Sequence, residues 1–162
     1  MVVVASGIVC ERLCFDSPFP AFSSAAAPPA LTGLVLTGDR PLRERLRLIT
    51  ETCGWECRSP ATVSTAWRGM ATGARLAFVD IAHPLEGRMG DTRLLAEALA
   101  ERPGVMLVVC GIPPCSADGK AQTADERWAR ELGAFVYLPG VGADEGVAQI
   151  VDEARRVLGG KR

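Results

Sequence analysis

The chain has 162 residues, 48% of them hydrophobic and 23% charged, with 19 acidic side chains against 18 basic ones and a net charge of −1. That is enough chain for one domain burying about 68–70% of its unfolded surface, and the balanced charge excludes a strongly basic nucleic-acid binder. No apolar run reaches the roughly 18–20 residues of a membrane helix, and only two of the basic residues are lysines, Lys120 and Lys161.

Residues 1–30 are rich in Pro, Ser and Ala, as in Ser17-Pro18-Phe19-Pro20, and carry neither helical nor strand period. They read as a disordered leader. Met1–Cys10 is apolar, but no Lys or Arg precedes it as a secretory signal would require, so the protein is assigned to the cytoplasm. The six cysteines fall as Cys10/Cys14, Cys53/Cys57 and Cys110/Cys115, without C-x-x-C spacing and with one histidine, His83. They read as reduced thiols packed as small hydrophobes, not as a zinc site.

From Leu31 the pattern becomes regular. Leu34-Val35-Leu36 is a short apolar strand followed by Thr37-Gly38-Asp39, and Arg40–Cys53 places Leu42, Leu46, Ile49 and Cys53 on one helical face. Gly54 stops that helix, Trp55–Cys57 starts a second strand, and Val63–Thr72 is a short helix ended by Gly73. Arg75–Ile81 is a third strand, apolar throughout except for Asp80 near its end, as expected of a strand buried on both faces. Asp91 reads as the cap of a helix over Thr92–Arg102, and Val105–Cys110 is the fourth strand. A long loop through Pro113-Pro114 and Asp118-Gly119 leads to a helix near Ala124–Leu132, then a fifth strand, Ala134–Leu138, and a last helix, Asp144–Leu158. The prediction is a doubly wound α/β fold: a five-stranded parallel sheet with helices on both sides, over residues 31–158, with a flexible tail at 159–162.

Ligands of such sheets bind at the carboxyl ends of the strands. Those ends carry Thr37, Gly38 and Asp39, then Asp80, then Cys110 and Gly111, then Pro139 and Gly140. A carboxylate in an otherwise apolar strand is expensive to bury without partners. Asp80 therefore reads either as a solvent-reachable group for a phosphoryl, cation or ligand, or as a cap on the loop before Pro84.

Asp80-Ile81-Ala82-His83-Pro84-Leu85-Glu86-Gly87 resembles the phosphoacceptor segment of response-regulator receiver domains, Asp-Ile-x-Met-Pro-x-x-Gly, with His83 in the Met place. Leu42–Arg47 followed by Cys53–Cys57 is similar to the first helix and second strand of receivers, and Gly133-Ala134-Phe135-Val136-Tyr137-Leu138 to their fifth strand. The resemblance spans about 31–158 and implies a flavodoxin-like, non-enzymatic module of two-component signalling, in which a histidine kinase transfers a phosphoryl group to Asp80. It also implies three aids: a carboxylate pair holding Mg²⁺, a hydroxyl after the fourth strand and a lysine after the fifth, which together offset the forming dianion.

Carried over position by position, each aid departs from the pattern. The acidic pair falls on Thr37 and Gly38, leaving Asp39 and Asp80 as a weak Mg²⁺ set. The hydroxyl falls on Cys110, a weaker donor, and the lysine on Gly140, with Val141 in place of the usual proline; Tyr137 matches the aromatic switch position. Lys120 is the remaining candidate cation, placed in the loop before the fourth helix.

The expectation is thus an atypical or pseudo-receiver acting through protein contact, with a phosphorylation-independent interaction module as the alternative. The four residues after the last helix hold no output domain, so a stand-alone domain is expected. The resemblance implies contact with a histidine kinase or another signalling protein through the fourth helix, fifth strand and fifth helix, where Arg127, Trp128, Arg130 and Glu131 lie; Trp128 is a candidate anchor. A homodimer stays open; no nucleic acid or membrane is expected as a partner. Cobalamin-binding domains share the fold and use Asp-x-His-x-x-Gly, but Asp80, His83 and Gly87 are one residue too far apart at each step. His83 then reads as a loop residue beside Pro84. Thr37-Gly38-Asp39-Arg40-Pro41 contains neither phosphate-binding glycine motif.

Overall fold

The computed structural model describes residues 31–71, 73–113 and 119–159. The elements run β1 (Thr32–Leu36), α1 (Arg40–Thr52), β2 (Glu56–Arg58), α2 (Val63–Met70), β3 (Leu76–Asp80), α3 (Asp91–Ala100), β4 (Met106–Gly111), α4 (Gly119–Glu131), β5 (Val136–Pro139) and α5 (Asp144–Gly159). The strands pair in parallel in the order β2-β1-β3-β4-β5. This is the predicted doubly wound sheet, with the topological switch between β1 and β3.

Strand alternation divides the core in two. Leu34, Leu36, Ala77, Val79, Leu107 and Val109 face one side and pack with α2, α3 and Ala129 of α4. Val35, Leu76, Phe78, Met106, Val108 and Cys110 face the other, against Leu46 of α1 and Val147, Val151 and Ala154 of α5. Because helices cover both faces, β3 and β4 are buried at every position, which is why they appear as continuous apolar runs.

Most element bounds shift by one or two residues from the sequence expectation, and three of the differences bear on named residues. α4 begins at Gly119, so Lys120 sits in its first turn and not in the preceding loop. Gly119–Thr123 offers no large apolar side chain, and a period read from packing residues cannot register a polar first turn. Asp91 is the first residue of α3 and not its cap; Gly90, at φ +90°, takes that place, and Asp91 Oδ2 accepts from the Arg88 amide at 2.8 Å. Gly159 belongs to α5 and not to a tail. The expected leader at 1–30, the Pro114–Asp118 segment with Cys115, and 160–162 lie outside the described residues.

The loop after β3 is firmly held. Leu85 is buried and its amide donates to Thr92 Oγ1 at 3.0 Å, while the Glu86 carbonyl accepts from the Val63 amide at 3.1 Å at the start of α2. Among the described residues no helix is long and apolar enough to cross a membrane.

Candidate functional site

Side chains two residues apart on a strand face the same way. Thr37 follows Val35 by two, Asp80 follows Phe78, Cys110 follows Val108 and Gly140 follows Leu138. All four predecessors face α1 and α5, so these chain positions meet at one end of the sheet, with Asp80 in register with Cys110.

Asp80 is 2% exposed, and both of its oxygens are occupied. Oδ1 accepts from the amides of Ala82 at 3.0 Å and His83 at 3.2 Å. Oδ2 accepts from Thr37 Oγ1 at 2.8 Å and lies 3.0 Å from His83 Nδ1. Three donors and the imidazole nitrogen thus occupy both oxygens of the carboxyl group. Of the two sequence readings, the loop cap is what the geometry displays. The solvent-reachable pocket is not, because Thr37, at 0% exposure, and His83 cover the carboxylate.

Thr37 is itself fixed. Its hydroxyl accepts from the Asp39 amide at 3.1 Å while donating to Asp80, and its carbonyl accepts from Arg43 Nη1 at 3.4 Å. His83 is therefore not a bystander beside Pro84, as its sequence context suggested; it is a partner of Asp80. The i, i+3 spacing permits the contact because the chain turns sharply around the two amides held by Oδ1.

Gly38 and Gly140 stand where a carboxylate and the lysine would be, and each fills a tight space. The Gly38 amide donates to the His83 carbonyl at 2.7 Å, and a Cβ at Gly38 would lie 2.3 Å from the Pro84 carbonyl oxygen. The loop after β1 thus rests backbone to backbone on the loop after β3. Gly140 has φ +77°, and a Cβ there would come within 3.2 Å of Pro113 Cα. Gly38 thus has no room for a side chain, and at Gly140 a side chain would be tight against Pro113 and strained by the positive φ.

The other predicted positions fall as follows. Cys110 is buried, and burial pushes its thiol pKa up, with the Asp80 charge adding to the effect. The Tyr137 hydroxyl is buried without a hydrogen-bond partner; its ring fills the space beside Gly111, where a Cβ would lie 2.0 Å from the oxygen. Burial first, then Asp125 and Glu126, raise the Tyr137 pKa. Asp39 is the N-cap of α1 without using its side chain for the cap. Lys120 is exposed and lines a shallow depression with Thr123, Ala124 and Arg127, all on α4. Trp128, the candidate anchor, is partly buried: it packs against the core with the Arg93 guanidinium 4.6 Å from its ring centroid. Part of its ring stays exposed.

The fit to Mg²⁺ is poor. Among the described residues no three His, Cys, Asp or Glu side chains gather where they could hold a metal ion, and the one central carboxyl group already accepts three hydrogen bonds and contacts the His83 ring nitrogen. Sequence reasoning also missed Arg45. From α1 it pairs with Asp144 and donates to the carbonyl of Gly142 and, at 3.5 Å, to that of Val141. A basic residue thus holds the loop after β5 from outside the pocket.

No family model matches the chain, and no curated protein sequence matches it. Solved structures do. NtrX from Brucella abortus, in complex with ADP, superposes with a TM-score of 0.64 at 22% identity, over 82% of this chain and 29% of that one. This chain therefore spans less than a third of NtrX. The response regulatory domain of mrkE from Klebsiella pneumoniae matches at a TM-score of 0.61 and 14% identity, covering 81% of this chain and all of that domain (100%). A CheY-like response regulator receiver domain protein from Methanospirillum hungatei matches at 0.55 and 22% identity, over 79% and 98% of the two chains. The strand order, the two-sided core and these superpositions together give the chain the fold of response-regulator receiver domains.

Proposed function

We propose that the chain is an atypical receiver-fold module of two-component signalling that acts in the cytoplasm through protein contact, with Asp80 serving as a structural carboxylate and not as a phosphoacceptor. The observation that carries this reading is the set of three donors and the His83 ring nitrogen around the Asp80 carboxyl group. A nucleophilic carboxylate needs an oxygen free to approach phosphorus and cations to offset the dianion. Here both oxygens are engaged, Gly38 has no room for a side chain, and one at Gly140 would be strained by its positive φ.

The contact face in this reading is α4, β5 and α5, with a histidine kinase or another signalling protein as the partner. Arg127, Arg130 and Glu131 are exposed on α4. A groove lined by Glu126, Arg130, Ala134, Phe135 and Tyr137 runs between α4 and β5.

Beryllofluoride with Mg²⁺, which mimics a phosphoryl group on a carboxylate, tests the Asp80 assignment. The expected result is an unchanged melting temperature and unchanged amide spectrum. A saturable shift that disappears in Asp80→Asn overturns the assignment.

A further inference from the structure

We infer that residues Met1–Cys10 of this chain dock in the apolar groove between α1 and α5. The groove has a volume of about 350 Å³ and is lined by Leu48, Ile49, Thr52 and Cys53 of α1 and by Glu145 and Ala148 of α5. Ile49 and Cys53 pack against the core, whereas Leu48 is 61% exposed.

The chain enters the fold beside this groove. Leu31 packs against the α1 and α5 side of the core, and its carbonyl accepts from the Glu56 amide at 2.9 Å. Cys53 precedes Glu56 by three residues, a stretch of at most about 11 Å. Residues 1–30 therefore join the domain near the end of the groove that Cys53 lines. Residues 11–30 can span up to about 70 Å, while α1, with its 13 residues, is about 20 Å long. The connection reaches every part of the groove.

The segment suits it chemically. Met1–Cys10 holds Val2, Val3, Val4, Ile8 and Val9 and no charged side chain, so it fills an apolar groove without desolvating a charge. An uncharged run rich in β-branched residues is an aggregation hazard when left in water, and Leu48 is an apolar side chain with no cover from the fold. Docking covers both surfaces at once. A tether holds the segment at an effective concentration of about 1 mM, which favours it over a second copy of the chain at micromolar concentration.

Cys53 reports on occupancy because it lines the groove, and Cys57, a free thiol outside that lining, is the internal control. The full chain and its Val3→Asp variant are alkylated with N-ethylmaleimide in parallel, and each cysteine is followed by peptide mass. Cys53 is expected to label at least about fivefold faster in Val3→Asp, with Cys57 unchanged and the same ratio from about 1 to about 100 µM protein. Equal Cys53 rates in the two proteins overturn the inference. Protection in the wild type that grows with protein concentration also overturns it, because it marks a second copy in the groove. If Cys57 labelling changes as well, the wild-type chain alone decides. Nuclear Overhauser effects between the methyl groups of Val2, Val3 or Val4 and those of Leu48 or Ala148 sustain the docking, and their absence refutes it.

Discussion

Replacing Asp80 by alanine separates a structural carboxylate from a free one. The substitution strands the Thr37 hydroxyl, which is fully buried, and the Ala82 and His83 amides, which sit in a partly open loop. An unsatisfied buried donor costs about 1–3 kcal/mol; the hydroxyl bears the full penalty and the amides a reduced one. Removing the carboxylate also removes its own desolvation cost, so the net loss is about 2–3 kcal/mol, or roughly 6–12 °C in melting temperature for a domain of this size. Asp80→Asn should lose less, under about 1.5 kcal/mol. Its Oδ1 keeps both amides, and its Nδ2 can donate to Thr37 and His83, each of which can switch to accepting. Circular-dichroism melts and urea titrations of the three proteins check the ordering. If Asp80→Ala melts within about 2 °C of the wild type, or above it, the carboxylate is not holding the loops together and the reasoning fails.

Other consequences follow from the same geometry. Gly38→Asp, which restores an acidic residue on paper, should destabilise by about 2–4 kcal/mol through overpacking and loss of the Gly38–His83 hydrogen bond; an unchanged urea midpoint would contradict the close contact with Pro84. Gly140→Lys should likewise destabilise, since φ is +77° and Pro113 occupies the space, and it should not create beryllofluoride binding. Arg93→Ala removes the cation over Trp128 and the 2.5 Å ion pair to Asp125 that joins α3 to α4. Because the Arg93 side chain is 43% exposed, the cost is about 1 kcal/mol, with faster hydrogen exchange in α4 as the signature; uniform exchange across the domain would count against a local clamp. Stability should fall as pH rises above 9. Unfolded thiols ionise near 9, while burial holds the folded Cys57 thiol up to about 12 and Cys110 higher still. The unfolded state therefore sheds protons first and gains in this window. Denaturation at pH 8 and 10.5 should show the loss, reduced in Cys110→Ala; an equal loss in both proteins would rule out that thiol as a cause.

The fold was legible because its information is local. β3 and β4 announce two-sided burial by unbroken apolar runs, α1 and α5 by residues recurring on one face, and the meeting of Thr37, Asp80, Cys110 and Gly140 follows from strand alternation. The closing of the site was not legible. The Thr37–Asp80 hydrogen bond joins residues 43 apart in sequence, and nothing periodic marks it. Gly38 and Gly140 read as lost side chains, when in the fold they are the space that lets one backbone rest on another. His83 looked like a substitution for methionine beside a proline, and its pairing with Asp80 depends on the turn that the Asp80 carboxylate itself holds. The polar first turn of α4 escaped for a related reason: helix signals are strongest where a face packs, and this turn carries no large apolar side chain to show one.

The most direct test of the account is intact-mass measurement after incubation with acetyl phosphate and Mg²⁺, followed by brief alkali. An occupied Asp80 predicts no alkali-labile phosphoryl adduct, at any time point, in either the wild type or Asp80→Asn. A stoichiometric alkali-labile adduct in the wild type that is missing from Asp80→Asn would contradict it.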